Sequence, residues 1–182
     1  MARRLQHDWF PAALPNNVLI GDRSWLYSSF AFRHYKSGKP VGVRIGHDTG
    51  LYNGTFFDLG PDGEVEIGNY CSLVGAIIAT NNRVEIGDYC FIAHEVVLAD
   101  SFAHVPSAEK TGPTGSAAGK AVSGDIFIGE NVWIGANAVV LAGAHVGEGS
   151  IVGAAAVVDF EVPPYSLVVG NPASIKRTGQ PS

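Results

Sequence analysis

The sequence predicts an all-β fold, a parallel β-helix of about six triangular coils with one long protruding loop, and three observations carry that expectation. Glycine supplies 23 of 182 residues, about 13% where roughly 7% is usual, and it is spread along the chain. An aliphatic residue followed by glycine recurs at Ile20-Gly21, Ile45-Gly46, Ile67-Gly68, Ile86-Gly87, Ile128-Gly129, Ile134-Gly135 and Val146-Gly147. Inside the runs the step is six residues, most cleanly through Ile128, Ile134, Val140, Val146, Val152 and Val158.

A helix needs apolar residues every 3.6 positions, and an isolated amphipathic strand needs simple alternation; neither describes this rhythm. A short strand ending in a turn-permissive corner does, if each strand stacks on its equivalent one coil later. Three such units make one coil, and Ile128 to Val146 spans 18 positions. Shorter runs repeat the step at Ile45, Leu51, Phe57, at Ile67, Leu73, Ala79, and at Ile86, Ile92, Leu98. A second inward set lies four residues later, at Thr49, Thr55, Cys71, Ile77, Cys90, Val96, Val132, Ala138, Ala144, Ser150, Ala156 and Val162.

Coil starts farther apart than 18 residues locate the loops. Small surpluses fall at Lys36-Ser37-Gly38-Lys39-Pro40, Pro61-Asp62-Gly63-Glu64 and Asn81-Asn82, all rich in turn formers. The large surplus follows Leu98, and a loop that long inside a compact domain is usually functional or disordered. The expected organisation is an amino-terminal segment over 1–17, with Trp9-Phe10-Pro11 as a candidate cap. A β-helix domain follows over 18–164 with the loop 100–123 inserted, and then a carboxy-terminal segment over 165–182.

Composition narrows the function. Seventeen acidic against twelve basic residues give a net charge of −5, which argues against a nucleic-acid partner held on a basic face. The longest apolar runs, such as Ala138–Ala144, fall far short of the roughly 20 residues that cross a bilayer. No membrane association is expected, and the opening MARRLQHDWFP lacks the apolar stretch of a secretory signal, so a cytoplasmic protein is expected. Cys71 and Cys90 occupy equivalent positions of consecutive coils; a reducing compartment favours free thiols there over a disulfide.

The hexapeptide series, the stretch Gly124-Asp125-Ile126-Phe127-Ile128-Gly129-Glu130-Asn131-Val132-Trp133-Ile134-Gly135, and the ending Val162-Pro163-Pro164-Tyr165 with Gly170-Asn171-Pro172-Ala173 resemble the left-handed β-helix acyltransferases. The likeness is greatest to the xenobiotic, maltose and galactoside acetyltransferase group and covers about Ile45 to Arg177. The left-handed sense comes from that resemblance alone; the general rule for parallel crossovers predicts the opposite hand. The resemblance implies transfer of an acetyl or other short acyl group from acyl-CoA, with no metal required, to a sugar, a nucleotide-sugar or a hydroxylated antibiotic, in a cleft of a homotrimer.

Such a transfer needs a base for the attacking hydroxyl or amine and donors for the tetrahedral oxyanion. Among His7, His34, His47, His94, His104 and His145, it is His104 that opens the long loop, six residues after Leu98, where the family carries its catalytic histidine. His94 near a coil corner and Asp100 are expected at the substrate, and Asp100 and Glu95 are candidates for orienting the base. The cofactor is expected along a wall edge at Trp133, Gly135, Ala136, Gly153, Ala154, Asn171 and Pro172, with Lys176 and Arg177 toward its phosphates. Both cysteines are expected to face inward, so direct transfer is favoured over a covalent acyl-enzyme.

Two other classes fit the architecture. A carbonic-anhydrase-like metalloenzyme needs three converging histidines, and here no third histidine falls in register with His94 and His104. A non-catalytic β-helix scaffold would bind no acyl-CoA and would not need the family's ending.

Overall fold

The computed structural model describes residues 3–100 and 124–179. Its strands stack into three walls. The first holds seven parallel strands, β1 (Val18–Ile20), β3 (Val43–Ile45), β6 (Glu64–Ile67), β9 (Arg83–Ile86), β12 (Ile126–Ile128), β15 (His145–Val146) and β18 (Glu161–Val162). The second stacks β2 (Trp25–Leu26), β4 (Gly50–Tyr52), β7 (Ser72–Val74), β10 (Phe91–Ile92), β13 (Trp133–Ile134), β16 (Ile151–Val152) and β19 (Ser166–Val169). It closes with an antiparallel strand, β20 (Ser174–Thr178). The third holds β5 (Phe56–Leu59), β8 (Ile77–Thr80), β11 (Val97–Ala99), β14 (Val139–Leu141) and β17 (Val157–Val158). From β1 to β19, consecutive strands in the chain lie on different walls. The result is a parallel solenoid of about six turns, consistent with a left-handed β-helix.

The six-residue step is the reason for this winding. Each wall sends one large aliphatic side chain inward per coil, so Ile128, Ile134 and Val140 fill one layer and Val146, Val152 and Val158 the next, all buried. Burying a side chain of this size stabilises the fold by about 1.5–3 kcal/mol. The corners take smaller inward residues, among them Ala138, Ala144 and Ala156. In the third coil the expected register slips by one. Ile78 and Ala76 are buried, while Ile77 is 40% exposed and Ala79 is half-buried. A single Gly75 at φ +64° turns this corner one residue sooner than the pairs His94-Glu95 or Asn53-Gly54 turn theirs, a conformation in which glycine meets no Cβ penalty.

A polar ladder runs inside the first-to-second-wall corner. Ser24 Oγ donates to the Gly46 carbonyl at 2.6 Å, Thr49 Oγ1 to Gly68 at 2.8 Å, and Ser150 Oγ to Pro163 at 3.1 Å. The two thiols do the same, Cys71 Sγ to Gly87 at 3.1 Å and Cys90 Sγ to Gly129 at 3.0 Å. Both cysteines are free and buried, and the adjacent Cys71 together with burial pushes the Cys90 thiol well above the usual range. Val132 interrupts the ladder.

The first coil is covered by aromatic side chains. Phe30, from the 3-10 turn Ser29–Phe32, packs on Trp9 at 5.5 Å, Phe10 at 5.3 Å and Phe56 at 5.8 Å. Phe32 stacks on Phe57 at 5.0 Å. Asp8 ties the segment down by accepting from Ser28 Oγ at 2.7 Å, Ser29 N at 2.8 Å and Phe10 N at 3.0 Å.

Candidate active site

The corner between the second and third walls gathers most of the residues expected from sequence. His94 and Glu95 turn it in one coil, Gly135–Asn137 in the next, Gly153–Ala155 in the next, and Gly170-Asn171-Pro172 follow. The stacking is direct: Asn137 N donates to the His94 carbonyl at 2.9 Å, and Ala155 N to that of Ala136 at 2.9 Å. His94 and Ala136 are therefore separated by one inter-strand step, about 4.8 Å of backbone. Glu95, Asn137 and Ala155 all adopt positive φ, which turns each coil at the same height and keeps the edge straight.

This edge differs in its backbone donors from the second and third coils of the first-to-second-wall corner. There, His47 N–H is covered by Asn69 Oδ1 at 3.0 Å and Asn69 N–H by Asp88 Oδ1 at 2.7 Å. At Ala136 and Ala154 the next coil offers no such acceptor, and among the described residues neither N–H makes a hydrogen bond. The small residues of the sequence suggest that an amide near Ala136 could meet the thioester carbonyl; which amides are open is seen only where the coils stack. Alanine where the other corner has Asn or Asp was the available signal.

The other expected residues lie apart from this edge. Trp133 is 53% exposed on the outer face of the second wall, edge-on to Phe91 at 6.0 Å. Lys176 and Arg177 are exposed on β20, with Arg177 paired to Leu167, at the carboxy-terminal end of that wall. Asp100 is fully buried at the opposite edge of the third wall. One of its carboxylate oxygens accepts from Thr80 Oγ1 and from Asn82 N at 2.8 Å; the other accepts from Asn81 N at 3.1 Å. Asp125, beyond the loop, accepts from Arg83 N at 3.1 Å. His104 and the rest of 101–123 lie outside the described residues.

The remaining histidines have local partners. His47 meets Asp48 at 2.7 Å and Tyr70, His7 stacks on Trp25, His34 meets Phe56, and His145 meets Phe127. Hydrogen bonds from Arg23 and His47 hold the Asp48 carboxyl down to about 2. Among the described residues no group of three or more His, Cys, Asp or Glu is placed to hold a metal ion, and no helix is long and apolar enough to cross a membrane.

Residues 125–159 match the bacterial transferase hexapeptide family (six repeats). No curated protein matches the chain. Among solved structures, the polySia-specific acetyltransferase NeuO is 30% identical with a TM-score of 0.60, over 73% of this chain and 59% of that one. A hexapeptide-repeat acetyltransferase of Vibrio cholerae, solved with acetyl coenzyme A, is 26% identical with a TM-score of 0.61, over 74% and 69%. A galactoside acetyltransferase in complex with coenzyme A is 26% identical with a TM-score of 0.56, over 88% and 64%. The chain thus spans less than two thirds of the length of the first and third of these proteins.

Proposed function

We propose, from the membership of this chain in the hexapeptide-repeat β-helix family, that it is an acyl-CoA-dependent acyltransferase acting on a hydroxyl or amine of a sugar. The observation that carries this reading is the second-to-third-wall edge, where unpaired amides and small side chains succeed one another coil by coil beneath His94. Acyl-CoA lies along it, its pantetheine arm beside Gly135, Ala136, Gly153 and Ala154 and its nucleotide toward Asn171, Pro172, Lys176 and Arg177, with Trp133 flanking. Structures of the similar Vibrio cholerae and galactoside acetyltransferases hold acetyl-CoA and CoA, which supports that ligand.

In the proposed reaction His104 accepts the proton of the acceptor hydroxyl or amine as its oxygen or nitrogen bonds to the thioester carbon. The Ala136 N–H donates to the developing oxyanion. Collapse breaks the carbon–sulfur bond, and the histidine returns its proton to the departing CoA thiolate. Neither cysteine is a nucleophile here, since both are buried and their hydrogens are held by carbonyls. His94, one coil above Ala136, contacts the acceptor.

Self-association as a homotrimer is part of the proposal. The outer face of the third wall carries Phe56, Ile77, Val97, Val139 and Val157 in one register row, an apolar ladder of the kind that marks protein contacts. The loop bearing His104 leaves the chain at Asp100, about 16 Å along the third wall from Glu95 at about 3.3 Å per residue, which suits a site shared between subunits.

The test is thiol release from acetyl-CoA with a panel of glycosides, sialic acid polymers, nucleotide-sugars and hydroxylated antibiotics. His104→Ala is expected to lower kcat by roughly 10²- to 10⁴-fold with CoA binding retained. Full activity in that variant, with loss in His94→Ala, transfers the base to His94; no thiol release with any acceptor removes the enzymatic reading.

A further inference from the structure

We propose that Asp100 is a positioning residue, a buried clasp that fixes the foot of the loop carrying the catalytic base. The proposal rests on the reading of His104 given above. Asp100 is the last residue of the third-wall coil, fully buried, and its own N–H is tied to the Ala79 carbonyl at 3.2 Å. Its carboxylate accepts from Thr80 Oγ1 and from the amides of Asn81 and Asn82 in the preceding coil. On the far side of the loop, Asp125 accepts from the very next amide, Arg83, and its carbonyl accepts from Gly143 N at 3.1 Å. Three consecutive backbone amides, 81 to 83, are thus capped by the two acidic residues that flank the loop.

Among the described residues, both carboxylate oxygens of Asp100 are engaged by the preceding coil. One oxygen holds a hydroxyl and an amide, the other a second amide, and the residue presents no surface to solvent. A buried carboxyl at the start of a functional loop, bonded on both oxygens to the preceding coil, acts through the chain that follows it. His104 is four positions beyond Asp100, which limits their α-carbons to a separation of at most about 14 Å. Holding the foot in place confines the volume in which the imidazole acts, and catalysis is sensitive to misplacement on the ångström scale. Asparagine cannot replace this carboxylate, because its NH₂ would face an amide N–H where an acceptor is required.

The experiment compares Asp100→Asn, Thr80→Val and Thr80→Ser with the parent full-length protein. Hydrogen exchange over residues 78–84 reads the clasp directly, and steady-state kinetics with acetyl-CoA and its best acceptor read its consequence. Asp100→Asn is expected to lose protection at 81–83 and to lower kcat about 10- to 100-fold, with the KM for acetyl-CoA and the midpoint of the kcat/KM pH profile unchanged. Thr80→Val, which removes the bond to Asp100 and the one that the hydroxyl accepts from Asn82 N at 2.9 Å while leaving both amide bonds to the carboxylate, is expected to show a smaller loss that Thr80→Ser restores. If Asp100→Asn does not fold, Thr80→Val alone decides. An unchanged kcat in the folded variant overturns the proposal, as does retained protection at 81–83. A shifted pH midpoint overturns it too, since that would make Asp100 a direct partner of the base. His104→Ala in parallel separates the two readings: full activity there rejects the base, whereas the exchange result judges the clasp whatever the base is.

Discussion

The interrupted ladder inside the first corner offers a reciprocal pair of substitutions. Thr49, 1% exposed, donates to the Gly68 carbonyl at 2.8 Å and accepts from Cys71 N at 3.0 Å. Thr49→Val keeps the shape and leaves two buried polar groups without partners, at a cost of about 1–3 kcal/mol each. Val132 sits at the same place three coils on, where the equivalent groups are the Gly147 carbonyl and the Ser150 N–H. Val132→Thr supplies both bonds in the existing space, and a satisfied pair is worth about 1 kcal/mol net per bond. For a chain of this size 1 kcal/mol shifts Tm by about 2–4 °C. Thr49→Val should therefore lower Tm by several degrees, to about 10 °C or more at the upper end, and Val132→Thr should raise it by about 4–8 °C. Calorimetry at one protein concentration measures both, fixed because any oligomer makes Tm concentration-dependent. A Val132→Thr variant less stable than the parent would show that the ladder is not the organising interaction claimed.

Other expectations follow from the same geometry. Ala136→Pro removes the open N–H proposed to hold the oxyanion; Pro164 already precedes the positive-φ Tyr165 at another corner, so the variant should fold and lose kcat about 10²- to 10³-fold in the thiol-release assay. Burial alone would raise the Asp8 carboxyl, but hydrogen bonds from Ser29, Ser28 and the Phe10 amide bring it down to about 2. Its stabilisation is complete above the unfolded value near 4 and is lost as pH falls toward 2. Tryptophan fluorescence of Trp9 and Trp25 should show that loss in the parent and not in Asp8→Asn. Ile77→Glu, on the exposed apolar row, should convert the proposed trimer to monomer in analytical ultracentrifugation while leaving the far-ultraviolet circular dichroism unchanged.

Most of the winding was legible in the residues. Ile128 through Val158 keep their six-step inward register in the structure because each inward site admits one branched aliphatic and rejects a polar residue. The one slip, from Ala79 to Ile78 and from Ile77 to Ala76, arises because the two side chains of a hydrophobic pair read alike, whereas the number of residues in a corner depends on which φ values its backbone adopts. Thr49, Cys71, Cys90 and Ser150 of the ladder were visible as small polar residues at inward positions, but Ser24 was not, and the hydrogen bonds required knowing which carbonyl lies one coil below.

By itself the sequence determined the repeat, most of the core layers and the place of the long insertion, since these depend on periodicity, side-chain size and local turn chemistry; the residues of the proposed acyl-CoA edge rest on the family resemblance as well. Tertiary structure alone decided which corner each residue occupies and whether its polar groups are spoken for. Asp100 and His94 are six positions apart, yet one is enclosed by amides from the preceding coil and the other is exposed above Ala136. That difference is made by neighbours a full coil away in the chain, which reach hydrogen-bonding distance only when the coils stack.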